Sequence, residues 1–418
     1  MCFRVAMISL HTSPLAQLGR TRDAGGMNVY VRELARELGS GSMYVDIFTR
    51  RSDPSLPPIQ WLNDQVRLIH IPAGPETNLP PAELFPYVED FTRRVARFAE
   101  RQGHGYDIIH SHYWLSAVAG MSLAREWDVP HVTMFHTVER LKAQQYGNSA
   151  SAETPAGLVR IEYEGRIAAC VDRISVSTEH EREQLRKLYG LPSSRLSIIP
   201  CGVDLRTFTP GTAAERCAAR RMVAPGETPM LLFVGRLDPI KGLDLLLESV
   251  AAMQTPARLT IVGGNPQGDP EVERLRAYAE ELGIAERVSF PGAVQPPELL
   301  NYYRAADALV VTSRYESFGL AAVESLACGT PVLATQVGGL PSIIHDGENG
   351  VLMPWRCPEY IAERLDETLS DRFLLAHLAA NARASVERFD WRRIGDEVRA
   401  LYQELTADQR AIAACCCF

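Results

Sequence analysis

Charged side chains suited to a phosphorylated ligand follow an apolar segment in the second half of the chain. Arg236 and Lys241 come soon after the apolar run Met230–Val234, so we expect both on a loop at the carboxyl end of a strand. Two cations there can neutralise a leaving diphosphate and stabilise the charge that grows as a bond to it breaks. Taken singly, each residue could instead be a solvated surface charge, which is the less favoured interpretation.

Two carboxylates stand eight residues apart further along the chain. Glu316 falls in a loop and Glu324 lies about two turns into the helix that follows it, so both can project to one side. Such a pair suits hydrogen bonds with sugar hydroxyls at two ends of an extended ligand. The backbone N–H groups of Phe318, Gly319 and Leu320 begin that helix and offer a cradle for phosphate.

Two adjacent glycines, Gly25 and Gly26, open a helix in the first half of the chain. Without a Cβ, the backbone can come close to a phosphate at a helix N-terminus, although a plain tight turn would have the same sequence. The dinucleotide fingerprint GxGxxG is missing here, and residues 263–266 (Gly-Gly-Asn-Pro) do not supply it later. A dehydrogenase that uses NAD is therefore disfavoured. Because no DxD cluster stands in the candidate loops, we expect no metal and no other cofactor.

The elements that must position these residues are predicted by the apolar pattern. Apolar runs of strand length alternate with helical segments from Val5 to Phe135, and the alternation restarts at Met230. The predicted fold class is therefore α/β, with two Rossmann-like, doubly wound parallel-sheet domains that face each other across a ligand-binding cleft. The predicted boundaries are 1–205 for the N-terminal domain, 206–388 for the C-terminal domain, 389–405 for a helix that crosses back to the N-terminal domain, and 406–418 for a tail.

Length and composition exclude several classes of protein. With 418 residues, of which 46% are apolar and 22% charged, the chain has material for two large cores. The 43 Lys and Arg residues against 51 Asp and Glu give a net charge of −8, and without a basic block nucleic acid is not an expected partner. The sequence has no run of about 18 consecutive apolar residues, so no segment is predicted to span a membrane. Oligomeric state is left open.

The first apolar run and the cysteines bear on localisation. The run is followed by His11 and Thr12 rather than by a cleavage site, so we expect a buried strand, not a signal peptide, and a cytoplasmic protein. The nine cysteines form no CxxC pair and are interpreted as reduced thiols. For Cys415, Cys416 and Cys417 an unstructured tail is favoured over a metal site or lipid attachment, because the last four residues do not form a prenylation box.

Together these motifs resemble the family-four retaining glycosyltransferases of GT-B fold. The resemblance extends from Arg4 to about Leu405, and its motifs are Gly25-Gly26, Gly235-Arg236, Lys241-Gly242, Glu316-x7-Glu324, Cys328-Gly329-Thr330-Pro331-Val332 and Gly338-Gly339-Leu340-Pro341. It implies an N-terminal acceptor domain and a C-terminal nucleotide-sugar domain. It also implies an enzyme that moves a hexose from a nucleotide diphosphate sugar to an acceptor hydroxyl with retention.

Within this family, four segments are similar to the inositol-phosphate N-acetylglucosaminyltransferases of the mycothiol pathway, and then to sucrose-phosphate synthases; they are residues 11–15, 23–31, 109–116 and 135–137. On the donor side the resemblance implies catalytic roles for His136, Arg236, Lys241 and Glu316, and donor binding by Gly25, Gly26, Phe318, Gly319, Leu320 and Glu324. On the acceptor side it implies a phosphate held by Tyr113, Thr137 and Arg160, with Asn28 nearby.

One departure from the family concerns the acceptor. Pro81 stands where those relatives carry a phosphate-binding lysine, while Arg20 and Arg22 precede the glycines and could restore the charge or lie exposed. The alternative is a neutral acceptor, with Arg160 paired to Glu164 four residues on along the same helix.

The predicted function is a retaining glycosyltransferase that uses UDP-glucose or UDP-N-acetylglucosamine and a small polar acceptor, such as an inositol phosphate or sugar phosphate. Three alternatives stay open: a GDP-mannose-dependent mannosyltransferase, a nucleotide-sugar 2-epimerase, and a sugar-binding protein without catalysis.

Overall fold

The computed structural model describes residues 3–16, 25–41, 43–146, 154–354 and 356–415. Arg20, Arg22, Cys416 and Cys417 lie outside these residues. The chain divides into two compact units. Of the described residues, the first unit contains those up to Ala16, those within Gly26–Pro200 and those from Trp391 to Cys415, and the second contains Gly25 and those within Cys201–Asp390.

The first unit is built on an eight-stranded sheet of order β3-β4-β2-β1-β5-β6-β7-β8, in which only the β3–β4 pair is antiparallel. Its central strands are almost entirely buried, as a parallel sheet covered by helices on both faces requires, although they include polar residues such as His110 and His112. The strands are β1 (Arg4–Ile8), β2 (Tyr44–Arg50), β3 (Ile59–Asn63), β4 (Val66–Ile71), β5 (Ile108–His112), β6 (His131–Met134), β7 (Arg173–Val176) and β8 (Leu196–Ile198). The helices are α1 (Gly26–Ser40), α2 (Pro81–Leu84), α3 (Val88–Gln102), α4 (Trp114–Trp127), α5 (Glu139–Tyr146), α6 (Pro155–Cys170) and α7 (Glu179–Tyr189).

The second unit has a six-stranded, wholly parallel sheet of order β11-β10-β9-β12-β13-β14. This is the Rossmann order, in which the order of the strands reverses between β9 and β12. The strands are β9 (Met230–Val234), β10 (Arg258–Val262), β11 (Val288–Ser289), β12 (Ala308–Val311), β13 (Val332–Thr335) and β14 (Gly350–Met353). The helices are α8 (Ala213–Val223), α9 (Leu243–Ala252), α10 (Pro270–Glu281), α11 (Pro296–Ala305), α12 (Leu320–Ala327), α13 (Pro358–Ser370) and α14 (Arg372–Ser385).

The last helix, α15 (Trp391–Cys415), belongs to the first unit and packs against α1. Its Arg399 donates to the carbonyl of Glu37, and its Tyr402 hydroxyl lies 2.6 Å from Nδ1 of His110. The helix continues to Cys415, inside the tail predicted for residues 406–418, so the boundary placed at residue 405 is too early. The physical reason is that residues 406–415 contain no Gly or Pro and are rich in good helix formers.

Candidate active site

In the second unit, the switch point of the sheet lies between β9 and β12, where ligands of open α/β sheets bind. Arg236 follows β9 by two residues, and Glu316 lies on the loop that follows β12. The turn after β9 is close-packed, since Gly263 has a φ of 150° and a Cβ added there would lie 1.9 Å from the carbonyl oxygen of Gly235. This close approach accounts for the glycine at position 263, and no bound dinucleotide is needed to explain it.

Lys241 is held in place by a short 3₁₀ turn, Pro239–Lys241. The carboxylate of Asp238 accepts from the N–H of Ile240 at 3.0 Å, and the hydroxyl of Thr312, just after β12, donates to the carbonyl of Lys241 at 3.2 Å. The turn is therefore closed by Asp238, and the backbone of Lys241 is tied to the residue that follows β12.

Lys241 and Glu316 form an ion pair. Nζ of Lys241 donates to Oε2 of Glu316 at 2.5 Å, and the two side chains are only 19% and 17% exposed. Partial burial strengthens this attraction relative to a pair in water. The structure thus joins two predicted site residues that are 75 positions apart in sequence, and each fixes the other's orientation.

The backbone of Glu316 is fixed from the loop after β13. The N–H of Gly339 donates to the carbonyl of Glu316 at 2.8 Å, and Gly338 has a φ of 54°. A Cβ added to Gly338 would lie 1.9 Å from that same carbonyl oxygen. Only glycine fits without movement, so Gly338 positions Glu316, a role that the sequence motif alone does not specify.

The predicted phosphate cradle lies at the start of α12. Gly319 precedes the helix with a φ of 113°, and its carbonyl accepts from the N–H groups of Ala322 and Val323. Phe318 is buried and meets the ring of Phe389 edge to face at 5.4 Å. The beginning of the helix is therefore anchored by a buried aromatic contact.

Glu324 has a different partner from Glu316. The hydroxyl of Tyr303, on α11, donates to Oε2 of Glu324 at 2.8 Å. Tyr303 is fully buried, and burial raises the pKa of its hydroxyl well above the usual value, so it stays a donor. Sequence reasoning missed Tyr303, because an aromatic residue on a helix looks like any core residue.

In the first unit, three of the residues predicted to bind the acceptor substrate lie together: Tyr113, Thr137 and Arg160. The side chain of Arg160 is 9% exposed. Its guanidinium donates to the Tyr113 hydroxyl at 3.0 Å, and to the carbonyl and hydroxyl of Thr137 at 2.6 and 3.0 Å. Nε donates to Glu164 at 2.7 Å, and Nη1 lies 3.0 Å from the carboxylate of Glu139. All three nitrogens of Arg160 therefore have protein acceptors.

Asn28 does not join this group. It is fully buried on α1, and its amide nitrogen donates to the Thr12 hydroxyl at 2.8 Å and to the Ser13 carbonyl at 2.7 Å. Its amide nitrogen therefore fixes the loop after β1 against the start of α1.

Tyr113 and His136 have unusual backbones. Their φ angles are 77° and 58°, and among the described residues the only other non-glycine with positive φ is Asp128, which caps a helix. Residues other than glycine rarely adopt this backbone conformation, and such backbone strain concentrates at functional sites. Both residues follow neighbouring strands, β5 and β6.

His136 and its neighbour His112 have lowered pKa values. Burial, with a smaller effect of His11, lowers the pKa of His136 to about 3, and burial lowers the pKa of His112 well below its usual value. Nδ1 of His112 lies 3.1 Å from Nε2 of His136. His136 is therefore suited to hydrogen bonding and not to proton donation as an imidazolium.

Pro81 is the first residue of α2, where its fixed φ suits the helix start. The loop before it is held by Arg50, which donates to the carbonyls of Pro75 and Thr77 at 2.5 and 2.6 Å. Pro81 brings no charge to this part of the unit.

No helix in the described part of the chain is long and apolar enough to cross a membrane. Within the same residues, no group of three or more His, Cys, Asp or Glu side chains could hold a metal ion.

Comparison with known proteins identifies the family. The description "Glycosyltransferase Family 4" matches residues 24–207, and "Glycosyl transferases group 1" matches residues 218–385. A D-inositol 3-phosphate glycosyltransferase from Xylanimonas cellulosilytica is 41% identical over 410 residues, which are 96% of this chain and 97% of that protein. The chain belongs to the family-four glycosyltransferases. A protein of the same name from Acidothermus cellulolyticus is also 41% identical, over 98% of this chain and 92% of its own length.

Solved glycosyltransferase structures share the fold. A sucrose-phosphate synthase from Thermosynechococcus elongatus superposes with a TM-score of 0.89 and 33% identity over 97% of this chain and 100% of that one. Anabaena HepE in complex with UDP and glucose gives a TM-score of 0.74 at 18% identity, over 96% of this chain and 100% of its own. The predictions of a GT-B fold and of a glycosyltransferase are confirmed, while the roles of individual residues stay predictions.

Proposed function

We propose that this family-four glycosyltransferase moves glucose or N-acetylglucosamine from a UDP-sugar to a hydroxyl of an inositol phosphate, with retention at the anomeric carbon. The name shared by the relatives that match over nearly their whole length supports this acceptor. GDP-mannose is the alternative donor. We also propose a cytoplasmic location, in keeping with the free thiols of Cys170, Cys201, Cys217, Cys328 and Cys357.

The observation that carries the proposal is the ion pair between Lys241 and Glu316 at the switch point of the second sheet. A cation and a carboxylate held 2.5 Å apart can serve two adjoining groups of one ligand. Lys241, with Arg236, would bind the diphosphate, and Glu316 would accept hydrogen bonds from the hydroxyls of the sugar attached to it.

In the proposed reaction, the bond between the anomeric carbon and the phosphate oxygen breaks, and its electron pair leaves with UDP. The acceptor oxygen attacks from the same face, and its proton passes to the departing phosphate oxygen. Arg236 and Lys241 stabilise the charge on that oxygen as the bond breaks. We propose that no metal or organic cofactor takes part, because these two cations and the start of α12 supply the positive charge.

A direct test combines a donor screen with product analysis. The purified chain is incubated with UDP-glucose, UDP-N-acetylglucosamine or GDP-mannose and inositol 3-phosphate, with EDTA in a parallel series. We expect acceptor-dependent release of UDP, unchanged by EDTA, and a product with the anomeric configuration of the donor by NMR. Inversion, or release of nucleotide without a coupled product, would contradict the proposal.

One observation favours a second candidate, a neutral acceptor. Every nitrogen of the Arg160 guanidinium already contacts a hydrogen-bond acceptor of the protein, and two of these acceptors are carboxylates. In addition, Pro81 contributes no cation. A phosphate can reach Arg160 only by displacing one of these partners. Of the two carboxylates, Glu139 is the less deeply buried, with a side chain 6% exposed against 0% for Glu164.

Matched acceptors separate the two candidates. Inositol 3-phosphate is compared with inositol, and fructose 6-phosphate with fructose. A preference for the phosphorylated form greater than ten-fold, or about 1.4 kcal/mol, supports the first candidate, and a smaller one supports the neutral acceptor. Glu139→Gln should lower the KM of the phosphorylated acceptor alone, whereas Glu162→Gln, at an exposed ion pair on α6, should change neither acceptor.

A further inference from the structure

The contact between His112 and His136 joins the ends of two neighbouring strands. His112 is the last residue of β5 and is fully buried, and His136 follows β6 by two residues. Nδ1 of His112 and Nε2 of His136 are 3.1 Å apart. The ring of Tyr30 meets both imidazoles edge to face, at 5.6 and 5.4 Å, so neither ring can turn freely.

A single hydrogen must lie between these two nitrogens. Burial lowers the pKa of both residues, to about 3 for His136, so each ring is neutral near pH 7 and carries one N–H. In a neutral imidazole one nitrogen donates and the other accepts. Either His112 donates from Nδ1, or His136 donates from Nε2, and the two arrangements leave opposite tautomers.

The other nitrogen of His112 distinguishes these arrangements. Nε2 of His112 is buried and has no hydrogen-bond partner in the described part of the protein. If His136 donated, this atom would carry a buried, unpaired N–H, whereas if His112 donates it carries only an unpaired lone pair. Buried donors without partners are rarer in proteins than under-satisfied acceptors. The arrangement with a hydrogen on Nδ1 of His112 is therefore favoured.

We infer that His112 is a positioning residue: it donates from Nδ1 to Nε2 of His136 and thereby fixes His136 in the tautomer that carries its hydrogen on Nδ1. His136 then presents an N–H donor, rather than a lone pair, to its ligand. This role rests on the proposed function, together with the catalytic role on the donor side that the family resemblance implies for His136. On the donor side, such an N–H pairs with a sugar or phosphate oxygen, whereas a lone pair on the histidine would repel a phosphate oxygen.

The tautomers can be read directly in the unliganded protein. The full chain is labelled with ¹⁵N-histidine, and long-range ¹H–¹⁵N spectra are recorded near pH 7, with His112→Asn and His136→Asn used to assign the signals. We expect protonated Nδ1 and unprotonated Nε2 for both residues. A His136 signal with the hydrogen on Nε2 would overturn the inference whether or not the enzyme uses the proposed substrates.

Kinetics test the consequence. His112→Leu removes the donor, so we expect the tautomer of His136 to shift toward Nε2–H and kcat to fall at least about ten-fold, with UDP affinity unchanged. His112→Asn restores an N–H near the position of Nδ1 and should recover most of the lost kcat together with the Nδ1–H tautomer of His136.

The control is His70→Leu, which removes another buried histidine whose Nδ1 bonds the carbonyl of Pro57 at 2.7 Å. Equal loss of kcat in His70→Leu and His112→Leu would mean a purely structural role and refute the inference. If His112→Leu does not fold, the comparison of wild type with His112→Asn still decides, because activity without the Nδ1–H tautomer in either protein contradicts it. Failure of the wild type to form product would instead refute the proposed function, and the NMR result would stand.

Discussion

Gly338→Ala tests whether the exact placement of Glu316 decides turnover. A Cβ at residue 338 would lie 1.9 Å from the carbonyl oxygen of Glu316, against about 3.4 Å for an ordinary contact. One of the two segments must therefore move by roughly 1.5 Å, and a displacement of about 1 Å at a reacting group can cost ~100-fold in rate. We expect kcat to fall at least ~100-fold.

The substitution also places a side chain in the left-handed region, which costs about 1–2 kcal/mol of stability by itself. Gly347→Ala is the matched control. Gly347 has a φ of 74°, close to that of Gly338, and nothing lies within 4 Å of a Cβ built there. This variant should pay the conformational penalty without the collision, so its activity should stay close to wild type.

The assay is UDP release at saturating donor and acceptor, with thermal unfolding and calorimetric UDP binding measured on the same samples. If both variants fold and their kcat values agree within about three-fold, the link between Gly338, Glu316 and turnover is refuted. A loss of UDP binding equal to the loss of kcat would place the damage at the nucleotide rather than at the sugar.

Lys241→Ala and Glu316→Gln should each cost at least ~100-fold in kcat, and the double variant little more than the worse single one, because the pair acts as a unit; additive losses would contradict this. Tyr303→Phe and Glu324→Gln should mainly raise the donor KM, since a contact made equally in ground and transition states affects binding; a change in kcat alone would argue against it. Burial raises the pKa of Glu181 to about 7, so unfolding free energy should fall between pH 4.5 and pH 7 by at most about 3 kcal/mol, and Glu181→Gln should remove that fall in urea titrations at pH 5 and 8. Parallel pH dependence in wild type and variant would exclude this carboxyl as the cause.

Much of the fold follows from local pattern. Alternating strands and helices require parallel sheets, and the loops at the carboxyl ends of strands hold the ligand residues, so Arg236, Lys241 and Glu316 can be placed from sequence. The ion pair of Arg160 with Glu164 is also local, because residues four apart meet on one helix face.

What only the tertiary structure decided are the partners that arrive from distant elements. Tyr303 reaches Glu324 from α11, and Glu139 reaches Arg160 from α5. His112 meets His136 because β5 pairs with β6. Sequence spacing fixes neighbours within one helix or strand, whereas strand order and packing decide which elements become adjacent. The amino-acid sequence therefore determined the kind of chemistry, and the fold determined which residues hold its charges and hydrogens in place.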